Sequence, residues 1–169
     1  MTLSYNKVDS PVGKLRLVAN AAALVAVLWE KEQPNRVRLG SMNFNPDHPV
    51  LKETERQLTE YFSSTRREFD LPLAPRGSEF QKKVWQALGR IPFGETRSYL
   101  ALAKELGSAN AVRAVGAANG KNPLSIVVPC HRVIGADGGL TGFAGGLEVK
   151  AKLLDFESSR STPNREKLF

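Results

Sequence analysis

Between Leu71 and Gly77 the chain reads Leu-Pro-Leu-Ala-Pro-Arg-Gly. Two prolines and a glycine this close together continue neither a helix nor the interior of a sheet, because each proline withholds an N–H and fixes its own φ. The stretch reads as a linker, and the hydrophobic period differs on its two sides. Upstream, the clearest apolar runs alternate as strands do; downstream, they recur at helical spacing. The expectation is an α+β protein: an N-terminal domain over residues 1–74, a mainly helical domain over 75–157, and a polar tail over 158–169.

In the first domain Ser10-Pro11-Val12-Gly13 makes a turn and Lys14–Ala19 alternates as a strand. Asn20-Ala21-Ala22 reverses the chain into Leu24–Trp29, giving an antiparallel hairpin. Residues 34–46 show no clear period. From Pro49 a helical stripe follows, made of Val50, Leu51, Thr54, Leu58, Tyr61 and Phe62. Residues 63–67 end it, and Glu68–Leu71 alternates as a third strand. This half offers no chemistry, so its expected role is support.

Ser78 with Gln81 three positions on is a capping box opening a helix whose apolar face is Phe80, Val84, Trp85 and Leu88. That helix must stop before Pro92. Ser98 caps a short helix from Tyr99 to Leu106, Gly107 stops it, and a second runs from Ala109 to Asn119, a helix-turn-helix pattern. Around Arg113 the second helix carries Ala109, Asn110, Gly116 and Ala117. A long cation on so bare a face suits either tight helix packing with a salt bridge or close approach to another surface. Gly135–Gly139 is an Asp-Gly hairpin turn, and glycine-rich residues 140–146 are expected to return beside Cys130. Leu147–Phe156 is a helix with Val149, Leu153 and Leu154 inward. Glu157 falls at its C-terminal end, where the helix dipole disfavours a carboxylate and a specific partner is expected.

The net charge is +7, and only +1 of it lies in residues 1–75. The basic excess therefore sits in the second half, as a surface facing a polyanion would require, although a solvated basic surface looks the same by count. One cysteine excludes an internal disulfide, and one cysteine with His48 and His131 cannot build a Cys/His zinc site. No metal and no cofactor are expected. No apolar run is long enough to span a membrane, and the first residues lack the pattern of a signal peptide, so the expected location is cytoplasmic.

The single cysteine stands in Ile126-Val127-Val128-Pro129-Cys130-His131-Arg132-Val133-Ile134. The run reads as a buried strand interrupted or edged by Pro129. A lone cysteine is commonly just a small buried hydrophobe. Here a base and a cation adjoin it, and both favour the nucleophilic thiolate. In an extended strand neighbouring side chains point apart, so Cys130 and His131 communicate only if the backbone turns sharply at Pro129 or a water relays the proton. The imidazole also needs an orienting partner from elsewhere.

Pro129-Cys130-His131-Arg132-Val133, with Asn122-Pro123 before it and Gly145-Gly146-Leu147 after it, resembles the O6-alkylguanine-DNA alkyltransferases. The motif resemblance runs from about Phe80 to Glu157. It implies a ribonuclease-H-like N-terminal domain and a winged helix-turn-helix domain that binds alkylated double-stranded DNA through the minor groove, as a monomer. The implied reaction is irreversible transfer of the alkyl group from O6-alkylguanine, and from O4-alkylthymine, to Cys130 after nucleotide flipping. His131 would be its base, acting through a water and held by Glu157. Asn122 would brace the turn, and Tyr99 would contact the leaving guanine and the target phosphate. Arg113 would fill the gap left by the flipped base, with Ala114 and Gly116 in the DNA-binding face. Val133, Phe143 and Ala144 would line the pocket. Taken singly, Tyr99, Asn122 and Glu157 also fit bland roles as a half-buried aromatic, a turn residue and a surface charge. Ala144 and Phe143 replace the Ser and Tyr of many members, which leaves substrate breadth open. Rival readings are an alkyltransferase-like binder, which the presence of Cys130 opposes, a sequence-specific regulator, and a cysteine hydrolase, for which no oxyanion-hole loop is recognisable.

Overall fold

A computed structural model describes residues 2–161, which form two compact units. The first comprises residues up to Arg76 together with Pro123–Val127; the second comprises Gly77–Asn122 and the chain from Val128 onward. The division between Arg76 and Gly77 lies at the end of the proline-rich stretch, and five residues from the middle of the second half belong to the first unit.

The first unit is a four-stranded sheet of β1 (Leu3–Val8), β2 (Leu15–Ala19), β3 (Leu24–Trp29) and β4 (Met42–Phe44), in the order β3-β2-β1-β4. The expected hairpin is β2–β3, antiparallel with Leu17 opposite Val27. Two strands escaped the sequence reading. β1 pairs antiparallel with β2, and β4 pairs parallel with β1. The expected third strand at Glu68–Leu71 is absent: Leu73 makes a single bridge to Leu24, and Pro72 has no N–H to extend it. Asp70 is held instead by the buried Gln57 side chain, which donates to its carbonyl and accepts from its N–H, both at 2.9 Å. Gln57 lies on α1 (Pro49–Phe62), whose buried face also includes Leu51, Thr54, Leu58 and Tyr61, and α1 packs against β1, β2 and β3. Residues 123–127 join the same unit through the Val27 N–H to the Pro123 carbonyl at 2.8 Å and Trp29 Nε1 to Ser125 Oγ at 3.0 Å.

The second unit contains α2 (Glu79–Gly89), β5 (Arg97–Ser98), α3 (Tyr99–Glu105), α4 (Val112–Gly120), β6 (Val133–Ile134) and α5 (Leu147–Ser161). The capping box at Ser78 and Gln81 is formed with both of its hydrogen bonds. Val84, Trp85 and Leu88 are buried as expected, but Phe80 is exposed. Gly107, at φ 87°, ends the α3 turn, and α4 packs on both α2 and α3. β6 does not form a hairpin across Gly135–Gly139; it pairs in parallel with β5, and residues 140–146 are not a strand. Helix α5 runs one turn past the expected end, so Glu157 lies within it; of the expected tail, 158–161 are helical and 162–169 lie outside the described residues. Among the described residues no helix is long and apolar enough to cross a membrane.

Gly77 carries a constraint hidden by its place in a linker. A Cβ there would stand 2.5 Å from Cη2 of Trp85, whose Nε1 donates to the Ala118 carbonyl at 2.8 Å and so cannot readily swing away. Gly77→Ala is expected to destabilise the protein by about 1–3 kcal/mol through overpacking, read as a lowered urea midpoint; an unchanged midpoint would show that Trp85 is free to shift.

Candidate active site

The Cys130 run is buried, as its composition requires, but it is not a strand. Ile126 takes φ 72°, a costly value for a β-branched residue, and the Val127 N–H bonds back to the Ser125 carbonyl at 2.8 Å. A second three-residue turn follows at Pro129 (φ −81°, ψ 66°), where the Cys130 N–H meets the Val128 carbonyl at 2.8 Å. Cys130–Arg132 then forms one 3-10 turn. The backbone does turn sharply at Pro129, so Cys130 and His131 stand in a 3-10 turn and not on opposite faces of a strand. Asn122, fully buried, donates from Nδ2 to the Val128 carbonyl at 2.9 Å and holds the start of that turn.

Glu157 supplies the orienting partner. Its Oε2 lies 2.8 Å from His131 Nε2 and 2.9 Å from Arg132 Nη2, and its Oε1 accepts from Arg132 Nε at 2.8 Å. Arg132 Nη1 donates to the Ile91 carbonyl, and the guanidinium stands over the Phe93 ring. Burial alone would raise the Glu157 pKa, but the hydrogen bonds and charges of His131 and Arg132 outweigh it and lower it to about 2. Burial lowers the pKa of His131, and the favourable pull of Glu157 does not reverse this. The ring is therefore neutral at neutral pH. A carboxylate only accepts, so the proton sits on Nε2, and Nδ1 keeps its lone pair with no partner among the described residues. Such a nitrogen can accept a proton.

Tyr99 opens α3, where Ser98 caps the helix by accepting from the Ala101 N–H. Its hydroxyl bonds Thr141 Oγ1, and its ring lies beside Gly116. On α4, Arg113 and Ala114 are exposed, as is Ala117, while Val115, Ala118 and Asn119 face inward. No ion pair holds Arg113 among the described residues, and the packing-and-salt-bridge alternative for it finds no support.

Two sequence profiles match the chain, one described as the ribonuclease-like domain of 6-O-methylguanine DNA methyltransferase over residues 3–75 and one as its DNA-binding domain over residues 79–159. The methylated-DNA–protein-cysteine methyltransferase of Mycobacterium tuberculosis is 44% identical over 161 residues, covering 94% of each chain. The constitutive one of Bacillus subtilis is 45% identical, covering 90% of this chain and 94% of its own. The chain belongs to the methylated-DNA–protein-cysteine methyltransferase family. The crystal structure of M. tuberculosis OGT in complex with DNA superposes with a TM-score of 0.86 at 42% identity, covering 98% of this chain and 99% of that one. The expected ribonuclease-like domain followed by a helical DNA-binding domain is thus present.

Within this methyltransferase the predicted residues fall into two groups. Cys130, His131, Glu157, Asn122 and Val133 meet around the 3-10 turn, while Tyr99, Gly116 and Thr141 form a second cluster. Val133 is buried, its N–H donating to the Cys130 carbonyl and its carbonyl accepting from Lys150. Phe143 and Ala144 are half-buried, with the Phe143 carbonyl accepting from the Gly146 N–H. Sequence reasoning missed Lys150 and Thr141 altogether and valued Arg132 only for its charge. Lys150 had a signal: it shares a helical stripe with Leu153 and Glu157, where an apolar residue is expected.

Both His131 and Glu157 bind protons more readily unfolded than folded. Stability is therefore full above the ordinary histidine value of 6.5 and falls on acidification, first through His131 and then, from 4.5 towards 2, through Glu157. Glu157→Gln is expected to cost about 3–5 kcal/mol at neutral pH and to flatten the loss below pH 4.5, both read by denaturant unfolding across pH.

Proposed function

We propose that this protein repairs O6-alkylguanine and O4-alkylthymine in double-stranded DNA by moving the alkyl group irreversibly onto Cys130, once per molecule. What carries the reading is the imidazole of His131, kept neutral by burial and oriented by Glu157, with Nδ1 unpartnered among the described residues and directly following the chain's one cysteine. The damaged O6 lies on the pairing edge of the base, so the nucleotide leaves the stack before it reacts. Nδ1 takes the thiol proton through a bridging water. The thiolate attacks the alkyl carbon in line; the S–C bond forms as the C–O6 bond breaks, and the electron pair stays on the guanine oxygen. The proton returns to the base by way of Tyr99 at N3 and solvent, so thiol and alkylguanine become thioether and guanine. A neutral thioether is a poor leaving group, and the protein is consumed.

The exposed Arg113 on a face of small side chains suits entry from the minor groove, where it replaces the extruded base while Ala114 and Gly116 let the helix come close. Tyr99 exchanges Thr141 for the target phosphate and base. Val133, Phe143 and Ala144 form the pocket, where the missing Ser hydroxyl leaves a backbone N–H to meet the leaving oxygen. One chain holds the whole reactive set, so a monomer suffices for the reaction.

Incubation with duplex DNA containing one O6-methylguanine should add one methyl group to the intact mass, mapped to Cys130. Cys130→Ala should bind the same DNA and add nothing. Binding without a mass change would instead make the protein a lesion sensor. Arg113→Ala is expected to slow transfer from duplex DNA at least about tenfold, because replacing the flipped base offsets an unstacking cost of a few kcal/mol. Its reaction with free O6-benzylguanine, which needs no flipping, should keep the wild-type rate; equal loss on both substrates would remove Arg113 from the flipping step.

A further inference from the structure

Among the described residues of the second unit, Lys150 is a buried charge to which the transfer reaction assigns no task. It is fully buried on α5, on the stripe of Leu153 and Glu157. Its Nζ donates to the Val133 carbonyl at 2.7 Å and to the Thr141 carbonyl at 3.4 Å. No carboxylate pairs with it among the described residues. Two carbonyl dipoles compensate a desolvated ammonium poorly, and such a charge calls for a nearby anion.

The surrounding charges narrow the choice. Glu157 is matched by Arg132, and His131 is neutral. On β5, Arg97 is engaged by Glu95, and on the outer side of α5, Lys152 faces Glu148. Tyr99 is bonded to Thr141. One positive charge is left over in the cluster, and it is on Lys150. We propose that Lys150 is a positioning residue for alkyl transfer: its buried ammonium is the counter-charge of the Cys130 thiolate and fixes the Val133 and Thr141 carbonyls around the alkyl pocket. Burial lowers the Lys150 pKa on balance, and charge on Cys130 acts in the opposite direction. Transfer then has an electrostatic consequence. The thioether is neutral, so the alkylated protein keeps the cation and loses its counter-ion.

The inference rests on Cys130 as the acceptor, but its test needs no DNA. Because the chain has one cysteine, thiol alkylation by iodoacetamide reports Cys130 alone. In Lys150→Met the inflection of the alkylation rate against pH should rise by at least about one unit, making alkylation near neutral pH about tenfold slower. Lys150→Arg, which keeps the charge, should restore most of the inflection; a merely structural lysine would give no such split. A Lys150→Met profile that overlays the wild type would overturn the proposal. If Lys150→Met does not fold, the wild-type protein decides it. The Lys150 ammonium pKa, followed by NMR of labelled lysine, should fall by at least about one unit when Cys130 is methylated with methyl iodide. An unchanged value would overturn the proposal, whereas failure of the DNA mass assay alone would overturn only the repair reading.

Discussion

One buried carboxylate organises the reactive unit. Glu157 accepts from His131 and twice from Arg132, and Arg132 reaches on to the Ile91 carbonyl at the end of the α2 segment. Helix α5, the 3-10 turn and the end of α2 are thereby tied at a single point. A desolvated carboxylate is costly unless it is well hydrogen-bonded, and here three charge-assisted or polar N–H groups bond it. The same contact performs two tasks. It fixes the turn that presents Cys130, and it dictates which nitrogen of His131 carries the proton. Structure and reactivity are therefore not separable at this residue.

The turn itself depends on backbone conformations that a strand would not allow. Pro129 bends the chain between Val128 and Cys130, and Asn122 clasps the Val128 carbonyl from the end of α4. Five residues between Asn122 and Val128 are given over to the first unit, so the segment is a short excursion whose two ends are fixed by one side chain. The left-handed Ile126 lies within that excursion. Strain of about 1–3 kcal/mol at such a residue persists only where the surroundings overdetermine it.

The elements legible in the sequence were those whose signals are local. The Ser78–Gln81 box, the Gly107 stop and the stripe of α1 all rest on neighbours within two helical turns. The central strand β1 was not legible, because Ser4, Asn6 and Lys7 give it too little apolar character to mark it as a strand. β4 is three residues long and owes its existence to parallel pairing with β1. The Cys130 run was misread for a different reason: apolar composition reports burial, and burial does not distinguish a strand from consecutive tight turns. At the site, the motif pointed to Cys130, His131, Asn122 and Glu157, whereas Lys150 and Thr141 became visible only with the contacts of α5 and the 141 loop.

The proposed proton transfer depends on Glu157 selecting the Nε2–H tautomer of the neutral His131, which leaves Nδ1 as the base. Nitrogen-15 NMR of the labelled imidazoles of the DNA-free protein at neutral pH observes this directly. Nε2 of His131 should appear protonated and Nδ1 unprotonated, with the pattern kept to below pH 6.5, the ordinary histidine value. A proton on Nδ1, or an imidazolium at neutral pH, would contradict the account, because His131 could not then receive the proton of Cys130.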